Sequence, residues 1–234
     1  YTMRLLNKSS NKTKDLEDIL TYVNNSFKSA AEECKLTIYD GDSQVNPLWG
    51  FSYSRNSFAA SESLIDKFVE RNDPRAPQAF IEPDPTGYIV YGYGGDQATD
   101  IESINFAPNG TPDEVQNIYG MSMALWAITT PTQLISYHEV KFLEAEALCR
   151  LGRKNEAEAA LKEAVIAGFA NTENMLIDAT ENWVGGEVNL GADVAEDYFE
   201  KSVKPLFAVN PLKETMIQKY LSFFGASGES TEAY

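Results

Sequence analysis

Apolar residues recur three and four apart near the start of the chain: Leu16, Ile19, Leu20, Val23, Phe27, Ala30 and Ala31. That spacing puts them on one face of a helix. Asn11 or Thr13 is placed to cap it, and Asp15, Glu17 and Asp18 suit the positive end of its dipole. With Tyr1 to Leu6 as a preceding helix, residues 1–34 read as a helix hairpin. The pattern then breaks. From 40 to 132 the apolar runs are short and Gly, Pro, Asn and Asp are frequent. Within this tract, Leu64, Ile65, Phe68 and Val69 mark a short amphipathic helix near Ser61 or Ser63, ended by Pro74. "TGYIVYGYGGD" reads as a strand or extended loop. Loops this long inside a compact domain are often functional.

Helical periodicity returns after Pro131. Gln133 to Leu151 and Lys154 to Gly168 read as two helices joined by "GRKN", so that 133–169 forms a pair. Val140, Leu143, Ala147 and Leu151 stripe the first. Ala157, Leu161 and Ala164 stripe the second, with Ala160 and Val165 beside them. The alanines predict close approach. The small–bulky–small spacing of the second helix fits a tetratricopeptide (TPR) repeat. One repeat cannot stand alone, so other helices must cover it. Residues 196–225 supply candidates: a helix over Tyr198–Phe207, and another that begins at Asn210-Pro211 and stops at Gly225. The second of these is expected to turn Leu212, Met216, Ile217, Tyr220, Leu221 and Phe224 inward. The fold class is therefore mainly α, with TPR-like helix hairpins and a loop-rich irregular region on one side.

Charge narrows the function. The 234 residues carry a net −16, which repels phosphate backbones and anionic lipid, so nucleic acid is not expected as a partner. No run of about 18 apolar residues exists to span a membrane as a helix. The chain starts at Tyr1 and reads as a fragment cut at both ends. Cys34 and Cys149 form no C-x-x-C motif and read as two buried free thiols.

His138-Glu139 raises the question of zinc. A helical zinc site needs a second His four residues on, because i and i+4 share a face. Phe142 occupies that place, and His138 is the chain's only histidine. "DGDSQVN" lacks the Glu that ends a calcium loop, since Ser52 stands there. Acid pairs such as Asp40/Asp42, Glu82/Asp84 and Asp96/Asp100 leave a glycosidase open, but only two carboxyls facing one bond would support it. Aromatic loops offer better ligand chemistry. Flat rings stack on the C–H faces of sugars while amides and charges take the hydroxyls. The candidates are Trp49, Tyr53, Arg55 and Asn46 in "NPLWGFSYSRN", Tyr91 and Tyr93 in "GYIVYGYGGD", and Trp126. For each ring, packing against the helices is the alternative.

"LISYHEVKFLEAEALCRLGRKNEAEAALKEAV" resembles the helical signature of SusD/RagB-type (SusD-like) lipoproteins. Tyr137, Glu139, Val140, Phe142, Ala145, Glu146 and Ala147 match it, and His138 replaces a residue that is usually small. "RNDPR" (71–75), "IQKYLSFFG" (217–225) and "TEAY" (231–234) resemble further pieces in family order. The likeness covers the middle and later part of a family member. It implies an α-α superhelix that binds without catalysing and uses no cofactor. It also implies an outer-membrane lipoprotein at the cell surface, held by an N-terminal lipid anchor not contained in these residues. Such a protein captures a glycan, or sometimes a peptide, for a SusC-type TonB-dependent transporter. A helical-repeat adaptor that binds protein is the rival reading.

Overall fold

The computed structural model describes residues 2–54, 59–82, 101–112, 118–181 and 187–224, with the backbone alone at 51–54. The described part is mainly helical. Its centre is the antiparallel pair α6 (Tyr137–Arg150) and α7 (Lys154–Ala179). Alanine spacing produces this packing. Ala145, Ala147, Ala157 and Ala164 are fully buried, which lets Phe142, Leu161 and Val165 fill the seam. Each large side chain so buried contributes roughly 1.5–3 kcal/mol. The turn between the helices is closed by Gly152 at φ 75, a backbone conformation that suits glycine.

Helix α2 (Lys12–Asn24) lies against α6, and α10 (Pro211–Phe223) covers both α6 and α7. Thus the TPR-like pair is covered on both sides, as its own apolar stripes require. Asn11 and Asn210 each accept a capping bond from the backbone, at Lys14 and Lys213 respectively, both 3.1 Å. At Ser61, which precedes α4 (Glu62–Val69), the side chain makes no capping bond.

Several elements depart from the periodic reading. Helix α2 stops at Asn24, where the Asn25 and Ser26 amides fold back onto the carbonyls of Tyr22 and Val23. Phe27 still packs on the core, but Ala30 and Ala31 are exposed. Strand β1 (Cys34–Leu36) follows and pairs with β4 (Thr132–Ile135) in an antiparallel ribbon. Cys34 is therefore exposed and Cys149 half-buried, which corrects the expectation of two buried thiols. Residues 132–135 form β4 rather than the first turn of α6, because Ser136 takes the cap and accepts the Glu139 amide at 3.1 Å.

Helix α7 runs eleven residues past Gly168, from 168 to 179. That glycine does not end the helix; a Cβ there would lie 2.7 Å from Ser222 Oγ on α10. The stretch expected as one helix over 198–207 is split. It comprises α8 (Ala192–Tyr198), a wide π turn (Phe199–Val203) and α9 (Lys204–Val209). Pro205 has no N–H to offer the preceding turn, which favours the break there. The remaining elements are short: α1 (Thr2–Leu5), α3 (Pro47–Ser54), α5 (Ala76–Ala79), and the antiparallel pair β2 (Phe80–Ile81) with β3 (Met121–Ser122).

Candidate functional site

Three of the motif-like pieces, in 71–75, α6 and α10, meet around a buried ionic cluster, and "TEAY" (231–234) lies outside the described residues. Val69 and Phe68 end α4, and the chain turns through Asn72 at φ 49, a left-handed conformation that asparagine tolerates. The turn drives both arginines of "RNDPR" inward. Arg71 grips Glu214 on α10 through two bonds, Nε at 3.0 Å and Nη2 at 2.9 Å. Arg75 is 1% exposed and holds Asp73 the same way, at 3.0 and 2.6 Å. Its guanidinium also lies over Phe169 of α7, 4.5 Å from the ring centre. Burial pulls its pKa down, but the Asp73 carboxylate more than offsets this and the net shift is upward. Gln218 of α10 donates to both Glu214 and the Tyr198 hydroxyl at 2.9 Å. Burial pushes the Tyr198 hydroxyl well above its ordinary pKa, and Asp73 pushes it further.

His138 belongs to this interior. It is 1% exposed and sits 5.9 Å from the Phe223 ring, centre to centre. Burial, helped by the Arg75 charge, pulls its pKa down to about 3, so the imidazole is neutral at physiological pH. Among the described residues no group of three or more His, Cys, Asp or Glu side chains could hold a metal ion. The face of α10 that enters the core is thus mixed, polar as well as apolar. Glu214, Thr215, Gln218 and Ser222 are buried beside Leu221 and Phe223, while Met216 is 39% exposed. Of the residues expected inward, Leu221 is buried, Ile217, Tyr220 and Phe224 pack on the core and Leu212 is half-buried; Met216 is exposed, because Glu214 turns inward to meet Arg71.

The candidate ligand residues stand elsewhere, around α3. Asn46 is 1% exposed and fully engaged in starting that helix. Its Oδ1 accepts the Leu48 amide at 2.8 Å, its Nδ2 donates to the Thr130 carbonyl at 2.6 Å, and its own amide donates to the Ile128 carbonyl at 2.8 Å. Pro47 then occupies the first helical position, where a missing N–H costs nothing. Trp49 follows in the first turn and is half-buried. Trp126 is only 4% exposed, in a 3-10 turn (Met123–Trp126) that packs against α3 and α7. Asn46 and Trp126 therefore lie behind Trp49, within the protein interior. The side chains of Tyr53, Arg55, Tyr91 and Tyr93 lie outside the described residues.

The Asp40–Gln44 loop beside this region closes on itself. Asp40 accepts the amides of Gln44 at 2.8 Å and Asp42 at 3.0 Å, and the Ser43 hydroxyl at 2.7 Å. Those donors, the Gln44 amide first, hold its carboxyl down at about 2. The acid is thus spent on the turn.

A residue missed in the sequence is Asp178. It closes the apolar run of α7, three residues after Met175, on the face that also buries Leu176 and Ala179. An acid on that face was the available signal. It accepts from the backbone and hydroxyl groups of both Thr129 and Thr130, at 2.6–2.8 Å.

Comparison with known proteins agrees with this architecture. The SusD-like family described as "Starch-binding associating with outer membrane" matches residues 1–231. A SusD/RagB family protein of Bacteroides thetaiotaomicron superposes with a TM-score of 0.89 at 48% identity, over 100% of this chain and 49% of its own. A SusD homolog of Bacteroides fragilis gives 0.67 at 18% identity, over 98% of this chain and 50% of its own. An outer-membrane protein of Bacteroides vulgatus, described as a candidate nutrient binder, gives 0.62 at 16%, over 92% and 52%. The two more distant structures speak for the fold alone. No curated protein matches the chain. The chain spans about half the length of these solved structures. With its four motif pieces in family order and the family match running from residue 1 to 231, this chain belongs to the SusD-like family.

Proposed function

We propose that this chain is part of a cell-surface lipoprotein of the outer membrane that captures a nutrient glycan and hands it to a SusC-type TonB-dependent transporter. The reading is of a binding protein that performs no catalysis and needs no cofactor, with a lipid anchor holding the complete protein at the membrane. Residues 1–234 form one SusD-like domain fragment, and the loop-rich region 40–132 is its ligand side. Family membership carries the reading. The setting of Trp49 supports it: a flat ring, partly open, on a helix whose first turn is locked in place by Asn46. A preorganised ring loses little conformational freedom when a sugar stacks on it. Tyr53, Arg55, Tyr91 and Tyr93 complete the proposed surface, with Asn46 and Trp126 supporting it from behind. Among the described residues no helix is long and apolar enough to cross a membrane.

The test is retention of the complete protein on a glycan panel, followed by titration with the retained glycan. Trp49→Ala should weaken binding about tenfold, as expected when a central aromatic contact is truncated. Unchanged affinity removes Trp49 from the site. The protein-binding adaptor draws on one observation, the exposed apolar residues Leu36, Leu134 and Ile135 on the β1–β4 ribbon and Ile38 just beyond it. Retention by peptides and by no glycan would favour it and defeat glycan capture.

A further inference from the structure

Asp178 occupies an awkward place for an acid. It lies in the last turn of α7, the negative end of the helix dipole, which disfavours a second negative charge. It is also only 9% exposed, so water does little to offset the repulsion. The gain lies across the fold, at the corner that joins the 3-10 turn of Trp126 to β4. Asp178 Oδ2 accepts the amides of Thr129 at 2.8 Å and Thr130 at 2.7 Å, together with the Thr130 hydroxyl at 2.8 Å. Its Oδ1 accepts the Thr129 hydroxyl at 2.6 Å.

The chain of bonds continues without a gap. The carbonyls on this corner, Ile128 and Thr130, receive the two N–H groups of Asn46. Asn46 in turn caps α3, and Trp49 lies three residues on. Every link is short, and at each step at least one bond engages backbone, so the path does not depend on a freely rotating side-chain pair alone. The end of the long packing helix is thereby tied to the first turn of the aromatic helix.

We propose that Asp178 is a positioning residue that fixes α3, and with it the Trp49 ring, against the helical core. The inference rests on the reading of Trp49 as a ligand contact, but the coupling can be measured with no ligand present.

Hydrogen exchange read by mass spectrometry on the complete protein tests it. In Asp178→Ala, peptides covering 46–54 and 127–131 should exchange about tenfold faster, because their local opening is no longer opposed. Peptides covering α6 and α10 should keep wild-type protection. Asp178→Asn should restore most of the lost protection. Its carbonyl can accept the two amides, and its NH2 can donate to a threonine hydroxyl. Unchanged exchange at 46–54 in the alanine variant overturns the proposal, and so does an equal rise across α6 and α10. Should the alanine variant fail to fold, the double variant Thr129→Val, Thr130→Val removes both hydroxyl donors and is read by the same criteria. Glycan retention is scored separately. Selective loosening of 46–54 in a protein that retains no glycan defeats the capture reading and leaves the coupling intact.

Discussion

Removing the Glu214 carboxylate should be among the costliest single changes in the described core. Its partner Arg71 has a side chain only 5% exposed, and Glu214 itself is 4% exposed at the side chain. At 2.9 Å two unit charges attract by roughly 6 kcal/mol in an effective dielectric of about 20, most of which is offset by the cost of leaving water. The net value of the intact pair is therefore small. Breaking it is different, because a buried charge then loses its counterpart, at a cost of about 3–5 kcal/mol. Two features place Glu214→Ala near the lower bound. Arg71 keeps the Lys67 carbonyl and the Glu70 carboxylate, each at 3.2 Å. Gln218 loses one acceptor but keeps the Tyr198 hydroxyl. We expect a loss of about 3 kcal/mol, which for a chain of this size lowers Tm by roughly 6–12 °C.

Urea unfolding followed by circular dichroism measures the loss. Lys201→Ala is the control: its pair with Asp197 is 73% and 59% exposed, and its removal should change stability by less than about 0.5 kcal/mol. Replacing both partners, Arg71→Met with Glu214→Met, should recover most of the stability and give a coupling of about 2 kcal/mol or more in the double-mutant cycle. A cost for Glu214→Ala below about 1 kcal/mol, or simple additivity of the two single changes, would refute the claim that this pair ties α10 to the 71–75 turn.

Two further outcomes follow from the same interior. His138 has a folded pKa of about 3 against an ordinary 6.5, so protons bind preferentially to the unfolded chain. Its penalty is absent above pH 6.5 and grows by about 1.4 kcal/mol per pH unit as pH falls from there toward 3. His138→Gln should flatten the stability profile between pH 6 and 4 by that slope, and an unchanged slope would show that the imidazole protonates in place. Gly168→Ala should destabilise by about 1–2 kcal/mol despite the better helix propensity of alanine, since its Cβ would meet Ser222 Oγ at 2.7 Å. A rise in Tm would show that α10 yields at this contact.

The helix pair could be read from the sequence because its packing is local and apolar. Alanines spaced for close approach mean the same thing whatever covers them, and Asn210-Pro211 starts a helix by its own chemistry. The polar part of the face that α10 buries could not be read this way, although Ile217, Tyr220, Leu221 and Phe224 do pack on the core as their spacing predicts. A periodic reading treats Glu214, Gln218 and Ser222 as outward because an isolated polar group belongs in water. Glu214 turns inward to meet Arg71, which lies 143 residues upstream and outside any window on α10, and Gln218 follows by donating to Glu214. Asn46 and Asp178 show the same limit nearer the proposed ligand surface. Neither residue has a partner near it in sequence that would announce its burial, and each meets backbone groups from the 128–130 corner. A buried polar side chain is stable only with its partner in place. The sequence reading therefore fails where distant segments satisfy one another, and here those meetings fix the orientation of α10 and of the helix that carries Trp49.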